Sequence, residues 1–188
     1  MYHRQKCLLP DSIRCHQGTG PETPILGADV IVGIRKDAMK FSVSNVVAGS
    51  ADTLFALSQD YSRRMEWDPF ATRSELLNGA AAPAVGVDEY IESAGGLVMV
   101  SRYVSFQPPH VTAVSMIEGP RLLASFSGGW KFRQISPTHC NVTFTYNFRT
   151  SPIWLRWVME PIAGLWYQRQ TRARLNCFKA WAEAGPTE

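Results

Sequence analysis

The sequence predicts an α+β domain in which one long C-terminal helix covers an antiparallel sheet. Residues 151 to about 184 read as a single helix that carries four of the six tryptophans, Trp154, Trp157, Trp166 and Trp181. The roughly one hundred residues before it break into short alternating runs separated by turn-forming pairs. An aromatic-rich helix needs a broad apolar surface, and the concave face of the preceding sheet is the simplest one available.

Residues 1–38 contain Pro10, Pro21, Pro24 and several glycines, with one short β-like run, Val30-Ile31-Val32. They read as a poorly ordered N-terminal tail. Met39 opens MKFSVSNVVAG and is the candidate native start, so that 39–184 forms the domain. Phe41, Val43, Asn45 and Val47 alternate over 40–48 as in a half-buried strand. Ser50-Ala51-Asp52 caps a short helix over 53–59, with Leu54, Phe55 and Leu57 as its buried residues. A second short helix or turn covers 61–67, and Pro69 ends it. Strands follow at 71–77, 85–93, 97–107, 110–118, 121–135 and 139–149. Their breaks carry turn chemistry: Asn78-Gly79, Gly95-Gly96, Pro108-Pro109, Gly119-Pro120 and Ser136-Pro137. In the last strand Val142, Phe144, Tyr146 and Phe148 share an apolar face, and Thr143, Thr145 and Asn147 share a polar one. For the long helix, Ser151 is the N-cap and Pro152 the first helical residue. Pro161 removes an internal hydrogen bond and predicts a kink, and Gly185-Pro186 is the stop.

A chain of 188 residues suits one domain with a tail. The net charge of +3 is small, and Arg169, Arg172, Arg174 and Lys179 read as a solvated helix face. No basic stripe alternates with exposed aromatics, which argues against nucleic acid. Cys7, Cys15, Cys140 and Cys177 contain no CxxC pair, so reduced thiols and a cytoplasmic location are expected. His3, Cys7, Cys15 and His16 match no zinc spacing, and no metal site or cofactor is expected. The apolar run Cys7-Leu8-Leu9 is far short of a secretory segment. WLRWVMEPIAGLWY is no membrane span, because Arg156, Glu160 and Pro161 interrupt a run already too short.

Specific residues at the joints of this order carry a resemblance. They are Ala51-Asp52-Thr53-Leu54-Phe55-Ala56-Leu57, the run from Asp60 through Trp67-Asp68-Pro69-Phe70, and Tyr103-Val104-Ser105-Phe106-Gln107-Pro108-Pro109. Phe126-Ser127-Gly128-Gly129-Trp130-Lys131-Phe132, Thr143-Phe144-Thr145-Tyr146-Asn147-Phe148 and the final helix complete the set. Together they resemble the SRPBCC or START-like superfamily, and within it the polyketide cyclase/dehydrase and lipid-transport proteins, over about residues 39–184. The resemblance implies a helix-grip fold: a seven-stranded curved antiparallel sheet around the C-terminal helix, with two short helices after the first strand. It also implies an internal cavity for a hydrophobic ligand. It does not define an activity.

No nucleophile elbow, phosphate-binding glycine loop or metal motif is present. Gly128-Gly129 in a strand context reads as a bulge or a close backbone approach. Cyclase chemistry, an aldol closure and dehydration, needs an acid or base and donors for a developing enolate. Tyr146, Arg102, Tyr90 and Asp68 are the candidates. Tyr146 shares the apolar face of its strand, and Asp68 lies near the expected mouth. Arg102 depends on strand facing. Val98, Val100, Val104 and Phe106 as inward residues would turn it inside, whereas Leu97, Met99 and Tyr103 would turn it outside.

The binding reading draws on a wall of Met99, Met116, Phe126, Phe144, Tyr146, Trp157 and Leu165. Trp67 is either a structural plug at one end of the grip or a ligand contact. Methionines adapt to irregular shapes, and small-molecule pockets are apolar with few polar groups. The favoured function is therefore binding or transport of a hydrophobic small molecule or lipid. A polyketide cyclase/dehydratase is the alternative. A third reading is an interaction module with a filled core, acting through a homodimer or partner surface on the tryptophan-rich helix.

Overall fold

The computed structural model describes residues 30–35, 38–151 and 156–185, with side chains over 39–151 and 164–185. Strand β1 (Val30–Arg35) precedes β2 (Ala38–Ala48), and two short helices follow, α1 (Ala51–Ser58) and α2 (Arg64–Trp67). Six strands come next: β3 (Ala71–Leu76), β4 (Asp88–Ser93), β5 (Val98–Gln107), β6 (Val111–Glu118), β7 (Leu123–Ser136) and β8 (His139–Thr150). Helix α3 (Arg156–Ala184) closes the order. All pairings are antiparallel in one sheet ordered β1-β2-β8-β7-β6-β5-β4-β3.

The seven expected strands are β2 to β8, and the helix-grip architecture is present. The eighth, β1, corrects the reading of the tail, because residues 30–35 pair with β2 from Val30↔Val43 to Arg35↔Ala38. The remainder of that reading, residues 1–29 with Pro10, Cys7 and Cys15, lies outside the described residues, as does Pro152. Helix α3 continues through Pro161.

Period-2 patterning explains the sheet. On β8, Cys140, Val142, Phe144, Tyr146, Phe148 and Thr150 are buried, while the residues between them are not. On its outer face Ser42 and Ser44 pair through their hydroxyls with Thr145 and Thr143 at 2.8 and 2.9 Å, the cross-strand unit that stabilises a wet sheet face. Ser50 caps α1 by accepting from the Thr53 amide. Gly185, with φ of +79°, takes the left-handed conformation that ends α3.

Helix α3 packs chiefly on β2, and also on β8, α1 and α2. Thr171, Arg174, Leu175, Phe178 and Trp181 form its buried stripe. Polar ties reinforce that seat. Lys179 Nζ donates to the Val46 carbonyl at 2.7 Å, the Ala48 amide donates to Glu183, and Trp181 Nε1 donates to Glu66. Under α2 the apolar contacts converge on Trp67. Its ring meets Phe178, Trp130 and Trp181 at centroid distances of 5.0, 6.0 and 6.5 Å. Truncating so enclosed an indole leaves a cavity that the neighbouring rings cannot fill. Trp67→Ala is expected to cost about 3–5 kcal/mol, read as a lower urea midpoint with an unchanged slope.

Candidate functional site

Because α3 lies over β2 and β8, the strands from β4 to β7 enclose a space between themselves, α2 and one side of the helix. That cavity has a volume of about 60 Å³. Its apolar wall comes from Ile91 and Met99 on β4 and β5, Val114 on β6, Leu123, Phe126 and Trp130 on β7, Phe144 on β8, and Tyr167 on α3. Leu97, Pro120 and Phe70 also line it. Gly128 makes room for the neighbouring ring, since a Cβ there would sit 3.0 Å from the Tyr146 ring carbon. Gly129 meets backbone instead, with the Thr112 carbonyl 2.7 Å from where its Cβ would be.

The polar part of the lining is Arg64, Glu89, Tyr103, Thr112, Tyr146 and Arg174. Behind it stands Asp68, whose side chain is fully buried. One oxygen, Oδ2, accepts from Arg64 Nε at 3.0 Å and from Arg174 Nη2 at 2.6 Å. The other accepts the Phe70 amide at 3.1 Å. Arg174 Nη1 donates to the Tyr146 hydroxyl. Both guanidiniums lie over aromatic rings, Arg64 at 5.1 Å from Trp67 and Arg174 at 5.0 and 5.1 Å from Phe70 and Phe144. Such stacking favours arginine over lysine.

A second cluster adjoins the first. The Tyr61 hydroxyl is hydrogen-bonded to the Glu89 carboxyl and lies 2.7 Å from that of Tyr103, which donates to Gln59 Oε1 at 3.0 Å. Burial is the main influence on each acid here. It pushes Glu89 up, against the pull of Arg64 and the Tyr61 hydrogen bond. It pushes Tyr146 up to about 12, against the pull of Arg174. At Asp68 burial also acts upward, but Arg174, Arg64 and the Phe70 amide outweigh it and hold the carboxyl below the ordinary range.

Met99, Phe126, Phe144 and Tyr146 line the cavity. Met116 packs half-buried against the core without lining it, and Trp67 lies wholly in the core as a plug rather than at the lining. Leu165 is 66% exposed, on the outer side of α3, so its assignment to the wall is corrected. The Trp157 side chain lies outside the described residues. Arg102 faces outward and pairs with Asp88 at 2.7 Å, so an inward role is corrected. Tyr90 is corrected likewise: it stands on the outer face beside Glu92 and under Arg73. Asp68 is a buried anchor for the two arginines, not a mouth residue.

The facing of β5 could not be read from alternation because a bulge between Tyr103 and Ser105 breaks it. Tyr103 and Phe106 both turn inward, their rings 5.9 Å apart. Sequence reasoning also missed Arg64, Glu89 and Arg174. Arg174 is 3% exposed, which corrects the solvated-face reading at that position. Its signal was a lone cation on the stripe shared with Thr171, Phe178 and Trp181. For Arg64 the signal was the i,i+4 spacing to Asp68. Glu89 gave none, because both faces of β4 carry acids, Asp88 and Glu92 on one and Glu89 on the other.

A curved antiparallel sheet gripping a C-terminal helix, with a lined cavity between them, defines a START-like protein. The sequence profile of the family described as polyketide cyclase / dehydrase and lipid transport matches residues 38–183, and the chain belongs to that family. No curated protein matches it. Among solved structures it is similar to the ZhuI aromatase/cyclase from Streptomyces sp. R1128, at 19% identity and a TM-score of 0.65, covering 80% of this chain and 99% of that one. A START superfamily protein from Mycobacterium smegmatis shares 12% identity with a TM-score of 0.57, covering 71% and 92%. Norcoclaurine synthase from Thalictrum flavum shares 13% with a TM-score of 0.55, covering 77% and 97%. At these identities the likeness is one of fold. No helix among the described residues is long and apolar enough to cross a membrane.

Two stability measurements test the electrostatics. Asp68→Asn leaves two buried guanidiniums without their anion and is expected to cost about 3–5 kcal/mol at pH 7. Because the folded carboxyl is held low, its contribution is complete above an unfolded value of about 3.9 and is lost as pH falls through the folded value. The gap between wild type and Asp68→Asn should therefore narrow below about pH 4. Glu89 has the opposite sign. Its folded value is raised, so the stability it contributes is full below about pH 4.3 and declines as pH rises toward the folded value. Surrounded by Arg64, Arg174, Asp68, Tyr61 and Tyr103, it should make wild type gain less from pH 4 to 7 than Glu89→Gln does in paired urea titrations.

Proposed function

We propose that the protein binds a hydrophobic small molecule or lipid between the sheet and α3. The observation that carries this reading is a buried pair of arginines, Arg64 and Arg174, set with Glu89 at one part of a largely aromatic and aliphatic cavity. A core built only for stability has little use for two guanidiniums, since apolar residues of similar volume often serve as well or better. Their presence suits recognition of a polar group on an apolar body.

Size sets a condition on this reading. A volume of about 60 Å³ is well under the ~300–1,000 Å³ of pockets for drug-sized ligands. A ligand of that size must part the walls. Met99 and Leu123, both half-buried and unbranched or γ-branched, are the side chains best suited to yield. The cytoplasm is the proposed site of action, on the buried thiol of Cys140, which forms no disulfide.

A second reading, catalysis of aldol closure and dehydration, is favoured by the Arg174–Tyr146 pair. A hydroxyl that receives a hydrogen bond from a guanidinium can pass its own proton toward a developing enolate. The likeness in fold to an aromatase/cyclase is consistent with it.

Native mass spectrometry of the freshly purified chain, followed by organic extraction, tests the binding reading. A stoichiometric apolar compound is the expected result. A ligand-free mass with no uptake from a mixed lipid and polyketide panel would refute it and favour a filled core. For the second reading, Tyr146→Phe should retain the ligand while lowering any turnover by about 10²-fold or more.

A further inference from the structure

We propose that the ligand of this cavity is an apolar molecule bearing one anionic group, a carboxylate or an enolate, held by Arg64 and Arg174 while Glu89 stays protonated. The inference rests on the binding reading above and names the chemistry of what is bound.

Five contacts run in a chain from the Phe55 carbonyl through Ser58, Gln59, Tyr103 and Tyr61 to Glu89. The Ser58, Tyr103 and Tyr61 hydroxyls supply one proton each, and the Gln59 amide supplies one to whichever neighbour its nitrogen faces. Turning the amide over does not change the total. Four protons cannot serve five contacts. With Glu89 ionised, Tyr61 donates to it and Tyr103 donates to Gln59, and the 2.7 Å contact between the two hydroxyls holds no proton. A proton on Glu89 completes the chain: Glu89 donates to Tyr61, Tyr61 to Tyr103, and Tyr103 to Gln59. Burial supports the same state, pushing the Glu89 carboxyl up. Glu89 also has no ion pair among the described residues, unlike Asp68.

A neutral Glu89 leaves two guanidiniums facing one carboxylate, Asp68, all three nearly or fully enclosed. One positive charge is then unbalanced at the cavity. Free donors accompany it. The one hydrogen bond of Arg64 among the described residues is from Nε to Asp68, so its terminal nitrogens, at the cavity lining, have N–H groups to offer a ligand. Arg174 Nε is buried and unpartnered. A buried donor and an unbalanced charge of this kind are expensive unless something pairs with them. An anionic group on the ligand satisfies both at once, and the ring-lined wall takes its apolar body.

Calorimetric titration of the full chain at pH 7 with matched probes tests this: 2-naphthoate against 2-naphthamide, and decanoate against decanol. In at least one pair the acid should bind about tenfold or more tightly than its neutral partner, the scale of a charge-assisted hydrogen bond. Repeating the titration in phosphate and in Tris should show no net proton uptake. In Arg64→Met the ratio of acid to neutral affinity should collapse toward one, with circular dichroism and the urea midpoint certifying the fold. Arg64→Lys should keep part of the preference. Equal affinity for acid and neutral probes would overturn the anion site and leave the apolar cavity standing. Uptake near one proton per bound acid would show that Glu89 is ionised in the free protein and would overturn the charge argument. If no probe of either kind bound, the binding reading itself would fall with the inference.

Discussion

The carboxylate of Asp68 is the point on which the rest of the site depends. It sits just past the end of α2, and its oxygens gather Arg64 from that helix, Arg174 from α3 and the backbone amide that leads into β3. Two neighbours in sequence and one residue from the far end of the domain are thereby referred to one buried group. Taking three charges out of water is costly, and an apolar replacement could hold the elements together as well. What it could not supply is direction. The shared oxygen orients both guanidiniums, and Arg174 in turn orients the Tyr146 hydroxyl. The aromatic rings below, Trp67 and Phe144 among them, support the planar faces of the cations without consuming their N–H donors.

The division of labour along α3 follows from that anchor. Its C-terminal half is seated by apolar burial and by ties to β2, with Leu175 and Phe178 fully enclosed. Further toward its N-terminus, Leu165 and Trp166 are exposed while Tyr167 reaches the cavity. Phe70, the residue after Pro69, meets Trp166 at 6.4 Å and also lines the cavity. A firmly held end beside a lightly covered one suits a small cavity that must widen.

Much of the architecture was legible because strands and turns leave regular marks. The alternation of β8 from Val142 to Phe148, the Ser50 cap and the Gly185 stop are each local chemistry with one structural outcome. The strand formed by Val30-Ile31-Val32 was harder, since its stability comes from β2 and not from its own neighbours in sequence. The polar site was less legible still. Sequence periodicity marks apolar faces, so a charge placed on one looks like an interruption, as Arg174 did among the cations of α3. Glu89 and Tyr90 differ by one residue on a strand that is charged on both faces, and only pairing to β5, with Glu89↔Ser101 and Tyr90↔Val100, separates inside from outside. On β5 the bulge then breaks the rule that would have placed Arg102.

The difference between a carrier and a catalyst at this site reduces to when the negative charge arises. Arg64 and Arg174 are held in place before anything binds, so they stabilise an anion without reorganising. If the ligand is already an anion, that stabilisation appears in the bound ground state and gives affinity, which is what a carrier needs. If the ligand is a neutral ketone, the same donors gain most when an enolate forms, and the stabilisation appears in the barrier. Tyr146 separates the cases further. Its hydroxyl accepts from Arg174, which leaves its own proton free to meet a ligand oxygen. Toward a carboxylate that proton is one more hydrogen bond, whereas toward a developing enolate it is a proton to be given. The fold and the electrostatics are the same in both cases, and the acidity of the ligand decides which of them the protein performs.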